Sequence, residues 1–293
     1  MHPDIRTVVV FADGPGGGNP APVVLDADAM TDRQMQDVAR DSGHESAFVL
    51  PAPEGSTADV ALRFWVPDHE MEMCGHATVG AVWLLASLGI LDDDHVTVST
   101  ASGDVEARIR RSDASVAVEI SQPAGRVVPV SPGGIDAVVS VLGIDRDALA
   151  DRPVVNATTS RTKTLIPVVS ERALDDLRPD LAGVERLCTD LGSTGLYPYA
   201  VSDDGPRRFS ARQFPRSSGY PEDPATGIAA AALLFGLLDE GLLGPSDELV
   251  TIRQGRAMGR PSAITLRLRV EDSVAVGCWL GGPVEIATTE QES

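Results

Sequence analysis

The chain has 293 residues, 43% of them hydrophobic and 23% charged, and its formal net charge is −19. That composition is ordinary for a soluble protein, and the length suits one large domain or two compact ones. The acidic balance argues against nucleic acid or an anionic membrane as partner, since both need a basic surface; it leaves open an anionic small substrate held by local donors.

The opening segment, Met1 to Val10, lacks the basic and apolar regions of a signal peptide, and no apolar run reaches the length of a membrane span. The expectation is a cytoplasmic protein. Thr7 to Phe11 reads as a strand, Gly14 to Pro20 as a glycine loop, and Ala21 to Leu25 as a second strand. A helix with readable ends follows: Thr31 and Gln34 fit a capping box, Met35, Val38 and Ala39 form an apolar stripe, and Gly43 sits at the C-terminal cap. Ser46 to Leu50 reads as a strand. Glu45 therefore falls at a helix-to-strand junction, where a side chain can face a cleft instead of the core.

An internal repeat organises the rest. Its first copy runs Arg63-Phe-Trp-Val-Pro67, Cys74-Gly-His-Ala-Thr-Val-Gly80 and an apolar helix through Leu91. The second runs Arg212-Gln-Phe-Pro215, Glu222-Asp-Pro-Ala-Thr-Gly227 and an Ala/Leu-rich helix through Leu238. A helix without a polar face must be buried on all sides. The remaining sequence reads mostly as short strands: Val96–Thr100, Val105–Ile109, Val116–Ile120, Thr164–Val169, Ile264–Val270 and Val274–Trp279. The simplest architecture is two similar halves, each a strand set around one buried helix, divided near Gln122-Pro-Ala-Gly125. A single α+β domain with halves alike by chance is the alternative.

Each repeat turn delivers backbone N–H groups at the amino end of a buried helix, where unpaired donors and the helix dipole favour an anion. The plain alternative is that these Gly and Thr residues only cap helices. Glu45, His76 and Asp223 are the ionisable groups nearest these turns, and partial burial could bring Glu45 into the range of a general base. Spacing alone does not select them above Glu70 or Glu222. Cys74, Cys188 and Cys278 are scattered, odd in number and without a CxxC pair, which speaks against a disulfide framework. Cys74 and His76 lack a further ligand cluster in sequence, and His2, His44, His69, His76 and His95 show no HExxH spacing, so no metal site is expected. Lys163 is the single lysine; that preference for Arg, with abundant Ala, Val, Asp and Gly, resembles the bias of a GC-rich genome.

At these residues the chain resembles the PhzF-like family of phenazine biosynthesis, which shares its fold with diaminopimelate epimerase. The matching motifs are Gly18-Asn-Pro20, His44-Glu-Ser-Ala-Phe48, Arg63-Phe64 with Pro67, Cys74-Gly-His-Ala-Thr78, Glu222-Asp-Pro-Ala-Thr-Gly227, Gln254-Gly255 and Met258-Gly-Arg-Pro-Ser262. The resemblance implies an α+β fold of two pseudo-symmetric domains, each a β-barrel wrapped around a central helix, with the active site in the cleft between them. It sets the first domain at 1–122 with a returning strand at about 284–293, and the second at 123–283. It also implies a homodimer that uses neither metal nor organic cofactor. The family's catalytic glutamate falls on Glu45, its loop histidine on His76 and its second-domain aspartate on Asp223; Asn19, Gly75 and Gly227 match positions near bound substrate. In the phenazine enzyme the glutamate takes a proton from one carbon of a cyclohexadiene amino acid and returns it at the far end of the conjugated system, giving a ketone.

Ile228 departs from the family, which carries a serine after the Thr-Gly of the second turn. Losing that substrate-facing hydroxyl changes preference by about 1–3 kcal/mol where a remaining group is left unpaired. The stretch Ala157-Thr-Thr-Ser-Arg-Thr-Lys163 is also more polar than the family's. The resemblance thus implies a proton-shifting isomerase of a small-molecule carboxylate, in secondary metabolism such as antibiotic biosynthesis. The alternatives are epimerase-type proton transfer, which in the relatives uses two opposed thiols, and a non-catalytic binding protein.

Overall fold

The structure, a computed structural model, describes residues 4–112, 115–217 and 220–287. Of the opening segment and the closing strand expected from sequence, residues 1–3 and 288–293 lie outside the described residues. The fold is mixed α+β and dominated by strands. It divides into two compact units, one running up to Ser121 and resuming from Gly281, the other Gln122–Leu280. No helix among the described residues is long and apolar enough to cross a membrane.

In the first unit β1 (Ile5–Val10) runs antiparallel to β2 (Asn19–Val24), with Val8 opposite Ala21. The chain crosses through α1 (Asp32–Ser42) to β3 (Ser46–Leu50), parallel to β2. β4 (Val60–Trp65) returns antiparallel to β3 and also pairs with the short β5 (Glu70–Met71). α2 (Gly75–Ser87) then carries the chain to β6 (His95–Thr100), parallel to β4, and β7 (Gly103–Ser112) and β8 (Ser115–Pro123) follow antiparallel.

α1 forms where the sequence predicts it. The Thr31 side chain accepts from the Gln34 N–H at 3.4 Å while the Gln34 side chain accepts from the Thr31 N–H at 2.8 Å. This capping box satisfies donors that a helix start leaves unpaired. Met35 and Ala39 are buried with Phe48 and Trp65, and Gly43 closes the helix by donating to the Ala39 carbonyl. α2 is apolar around nearly its whole circumference and packs against β1, β2, β3 and β7. Gly80 permits that approach: a Cβ there would lie 2.8 Å from Val8 Cγ2 and 2.9 Å from Val10 Cγ2.

The second unit repeats most of this succession of pairings. It begins with β9 (Arg126–Pro129), α3 (Pro132–Leu142) and β10 (Val155–Thr158), which pairs antiparallel with β9. β11 (Thr162–Pro167) is antiparallel to β10, and a crossover through α4 (Glu171–Asp175) and α5 (Leu181–Asp190) leads to β12 (Gly195–Val201), parallel to β11. β13 (Arg208–Ala211) and the short β14 (Phe214–Pro215) pair antiparallel with β12. α6 (Gly227–Asp239) leads to β15 (Val250–Gln254), parallel to β13, and β16 (Ser262–Glu271) pairs antiparallel with β15. α6 packs against β9, β10, β11 and β16, as α2 packs among its own strands. After β17 (Val274–Gly281), β18 (Val284–Ile286) pairs with β1 in the first unit.

Two expectations need correction. The first apolar helix ends at Ser87, not Leu91, because the chain turns at Gly89 and the Ile90 N–H returns to the Leu85 carbonyl at 2.9 Å. The second half is also less purely stranded than its sequence suggests. α3 and α5 pack on each other, and Val138, Leu142, Val184, Leu187 and Cys188 form a separate core with Ile166 and Leu196. The end signals of α3 were present: Ser131 accepts from the Gly134 N–H at 3.2 Å, Pro132 opens the helix and Gly143 closes it.

Candidate active site

In the first unit the junction between α1 and β3 carries Glu45. Ser42, His44 and Ser46 pin it locally: the Ser46 hydroxyl donates to the His44 carbonyl at 3.1 Å, and the two serine oxygens lie 3.3 Å apart. Glu45 thus projects from a braced turn, with its side chain 15% exposed. Cys74 is the N-cap of α2, and its side chain does not cap the helix. Instead the thiol donates to Glu45 Oε2 at 3.2 Å and lies 3.3 Å from His76 Nδ1, while His76 Nδ1 lies 3.3 Å from Glu45 Oε2. The three groups form a nearly equilateral triangle. His76 is buried, and its other ring nitrogen, Nε2, has no partner among the described residues.

The triangle can share one proton among a carboxylate, a thiol and an imidazole. Because the Cys74 side chain bonds elsewhere, the first N–H groups of α2, beginning at Gly75, take no bond from the side chain of the N-cap residue. Glu45, Cys74 and His76 also offer ligand atoms within 4.8 Å of one another and are the residues that could hold a cation here. The sequence placed Cys74 beside His76 but left out the third member, because Glu45 lies 29 residues away.

The second unit builds its turn differently. Thr226 is the N-cap of α6, and its hydroxyl donates to Asp223 Oδ2 instead of capping the helix. Asp223 Oδ1 accepts from the Ala225 N–H at 3.4 Å. Gln254, at the end of β15, reaches into the turn. Its Nε2 donates to the Asp223 carbonyl at 2.6 Å and to Thr226 Oγ1 at 3.2 Å, and its Oε1 accepts from the Thr226 N–H at 3.3 Å. The same Oε1 accepts from the Tyr197 hydroxyl at 2.9 Å. Burial, with the Asp223 charge adding to it, pushes the Tyr197 phenol well above its usual range, so it stays a neutral donor. Burial lowers the Arg260 guanidinium, and the charge of Asp223 acts in the opposite sense.

Glu70 and Glu222, the competing acids, are committed to arginines. Arg63 forks onto Glu70 at 2.6 and 2.8 Å and stands over the Trp65 ring; Arg212 forks onto Glu222 at 2.8 Å through both nitrogens and stands over Phe214. A bidentate carboxylate has little capacity left for proton transfer. Of the remaining candidates, Gly75 and Gly227 open α2 and α6, Ile228 is buried in the first turn of α6, and Asn19 is a buried residue opposite Val10 at the start of β2. Glu45 and His76 are thus brought together with Cys74. Asp223 is held instead with Thr226, Gln254 and Tyr197, two of which the sequence offered as motif residues without a role.

The remaining thiols lie in other elements of the second unit. Cys188 lies in α5 and Cys278 in β17, and burial pushes them up to about 11 and about 12 respectively.

Residues 8–277 match the family model described as phenazine biosynthesis-like protein, PhzC-PhzF. The uncharacterized isomerase YddE of Salmonella typhimurium is 30% identical over 293 residues, covering 98% of this chain and 97% of that one. The trans-2,3-dihydro-3-hydroxyanthranilate isomerase of Pseudomonas fluorescens is 31% identical over 257 residues, covering 86% and 85%. Among solved structures, a PhzF-family phenazine biosynthesis protein of Bacillus anthracis superposes with a TM-score of 0.87 at 22% identity, covering 98% of each chain.

Proposed function

The chain belongs to the phenazine biosynthesis-like, PhzC-PhzF, family of isomerases, and we propose that it moves a proton along a conjugated small-molecule acid with Glu45 as the acid/base. The observation that carries this reading is the Glu45 carboxylate held against a thiol and an imidazole beside the uncapped start of α2. Glu45 removes a proton from a carbon of the substrate, and the electron pair moves into the conjugated system. The same carboxyl then returns the proton at the far carbon, and the enol so formed becomes a ketone. His76 uses its unpartnered Nε2 toward the substrate, and the first amides of α2 receive negative charge that develops in the reaction. Asp223, both of whose oxygens already accept protein donors, serves as a fixed acceptor for a polar substrate group. Asn19, Gly75, Gly227 and Ile228 contribute to substrate binding, with Ile228 presenting an apolar group.

The substrate we propose is a small unsaturated ring carboxylic acid of secondary metabolism, including antibiotic pathways, related to that of the Pseudomonas fluorescens isomerase. In the same reading each unit is a barrel around its helix, and the enzyme is a cytoplasmic homodimer that needs neither metal nor organic cofactor. Two-thiol stereoinversion finds no support: the second turn carries Asp223 and Thr226, and Cys188 and Cys278 belong to other elements. The test is deuterium incorporation from D₂O into trans-2,3-dihydro-3-hydroxyanthranilate. Wild type exchanges and Glu45→Gln, equally folded, does not; exchange retained by Glu45→Gln removes Glu45 as the base. No exchange by wild type removes this ring acid as a substrate.

A further inference from the structure

The motif Gln254-Gly255, with Met258 to Ser262 after it, takes no part in the chemistry described so far, yet it lies directly beneath the second turn. Gln254 is 2% exposed and Tyr197 fully buried. Every polar atom of the Gln254 side chain is engaged: Oε1 by the Tyr197 hydroxyl and the Thr226 N–H, Nε2 by the Asp223 carbonyl and Thr226 Oγ1. An amide is the one common side chain that supplies a donor and an acceptor from adjacent atoms, and this turn offers a carbonyl and an N–H that need both. The next residue explains the glycine. Gly255 has φ of 78°, and a Cβ there would lie 2.1 Å from the Arg260 carbonyl and 2.8 Å from the Pro224 carbonyl. The backbone after Gln254 therefore passes tight under Pro224, in the middle of the turn.

We infer that Gln254 is a positioning residue for Asp223: braced by Tyr197, its amide clamps both ends of the Asp223–Thr226 turn and thereby aims the Asp223 carboxylate. The clamp also decides which amides of α6 stay available. Gln254 takes the Thr226 N–H, and the Ala229 and Ala230 amides bond to the Thr226 carbonyl at 3.0 and 3.1 Å. Among the described residues, the helix-start donors not taken in this way are those of Gly227 and Ile228. The inference rests on the role proposed above for Asp223.

Two measurements on the full-length protein test it, and the first needs no substrate. Hydrogen exchange of the segment 223–228 becomes faster in Gln254→Ala, and by a smaller factor in Tyr197→Phe. In Gln254→Glu at neutral pH an oxygen faces the Asp223 carbonyl; protection is lost, and it returns on acidification as the introduced carboxyl gains a proton it can donate. A purely space-filling residue gives no such pH dependence. Unchanged protection in Gln254→Ala, or pH-independent behaviour of Gln254→Glu, overturns the clamp.

The second measurement is kcat/KM for trans-2,3-dihydro-3-hydroxyanthranilate in a double-mutant cycle. Gln254→Ala lowers it by about a hundredfold, the scale of a misplaced catalytic group, but adds nothing in an Asp223→Asn background. Additive losses mean that Gln254 does not act through Asp223, and the inference fails while the role of Asp223 stands. If Asp223→Asn alone is silent, the role of Asp223 itself has failed, and the positioning inference goes with it.

Discussion

Arg63 and Arg212 hold the same place in the two copies of the repeat, and each forks onto a glutamate a few residues ahead of a buried helix. The first pair stands partly in solvent, with side chains 30% and 35% exposed; the second is more enclosed, at 9% and 13%. Arg212 also donates to the carbonyls of Leu174 and Leu177 at 3.1 and 3.0 Å, tying the turn to the α4 region. The same contrast runs into the turns. Glu45, Cys74 and His76 touch one another and leave Nε2 of His76 without a partner among the described residues. Asp223, Thr226, Gln254 and Tyr197 form a closed network. One copy sets a carboxylate, a thiol and an imidazole against each other, and the other binds its turn with an amide and a phenol. The difference teaches that a repeated motif can keep its scaffold while its two turns bond their polar groups differently.

That contrast can be broken or sharpened by experiment. Its largest consequence is kinetic: Glu45→Gln lowers kcat by about 10²–10⁴-fold, the usual contribution of a general acid–base group, read by steady-state turnover of the ring acid. Next is Arg212→Ala, which removes a largely buried guanidinium, leaves the part-buried Glu222 without its partner and costs about 3 kcal/mol in urea unfolding. The titration of the second unit follows. Cys188 and Cys278 are raised by burial to about 11 and about 12 from an ordinary 9.0. Their neutral forms favour the folded state, so this stability is fully present below pH 9 and is lost as pH rises through 11 and 12. The loss is on the order of 2 kcal/mol per thiol by pH 11. Denaturant melts at pH 8 and pH 11 measure it, and Cys188→Ala with Cys278→Ala flattens the dependence. The smallest effect belongs to Arg63→Ala, about 1 kcal/mol or less, since its ion pair is half-solvated. Equal costs for Arg63→Ala and Arg212→Ala would erase the distinction between the two copies.

Much of the scaffold was legible because it is written locally. The capping box at Thr31 and Gln34, the stripe of Met35 and Ala39, and the two helices without a polar face each depend on residues within a few positions of one another. α3 is written just as locally, through the cap at Ser131, Pro132 at its start and Gly143 at its end. The site was legible only in part. Glu45 could be placed at a junction, yet nothing in the spacing ranked it above Glu70 or Glu222.

The sequence by itself determined the repeat, the buried helices and the two turns at their amino ends, because hydrophobic period and capping chemistry act over one or two helical turns. Tertiary structure alone decided which partners each acid takes. It brought Cys74 to Glu45 across 29 residues, committed Glu222 to Arg212, and set Gln254 under Asp223 across 31 residues. Those outcomes depend on strand pairing and on which buried polar groups find partners. A buried polar group is held at large cost unless it is paired, and the pairing is a property of the folded chain.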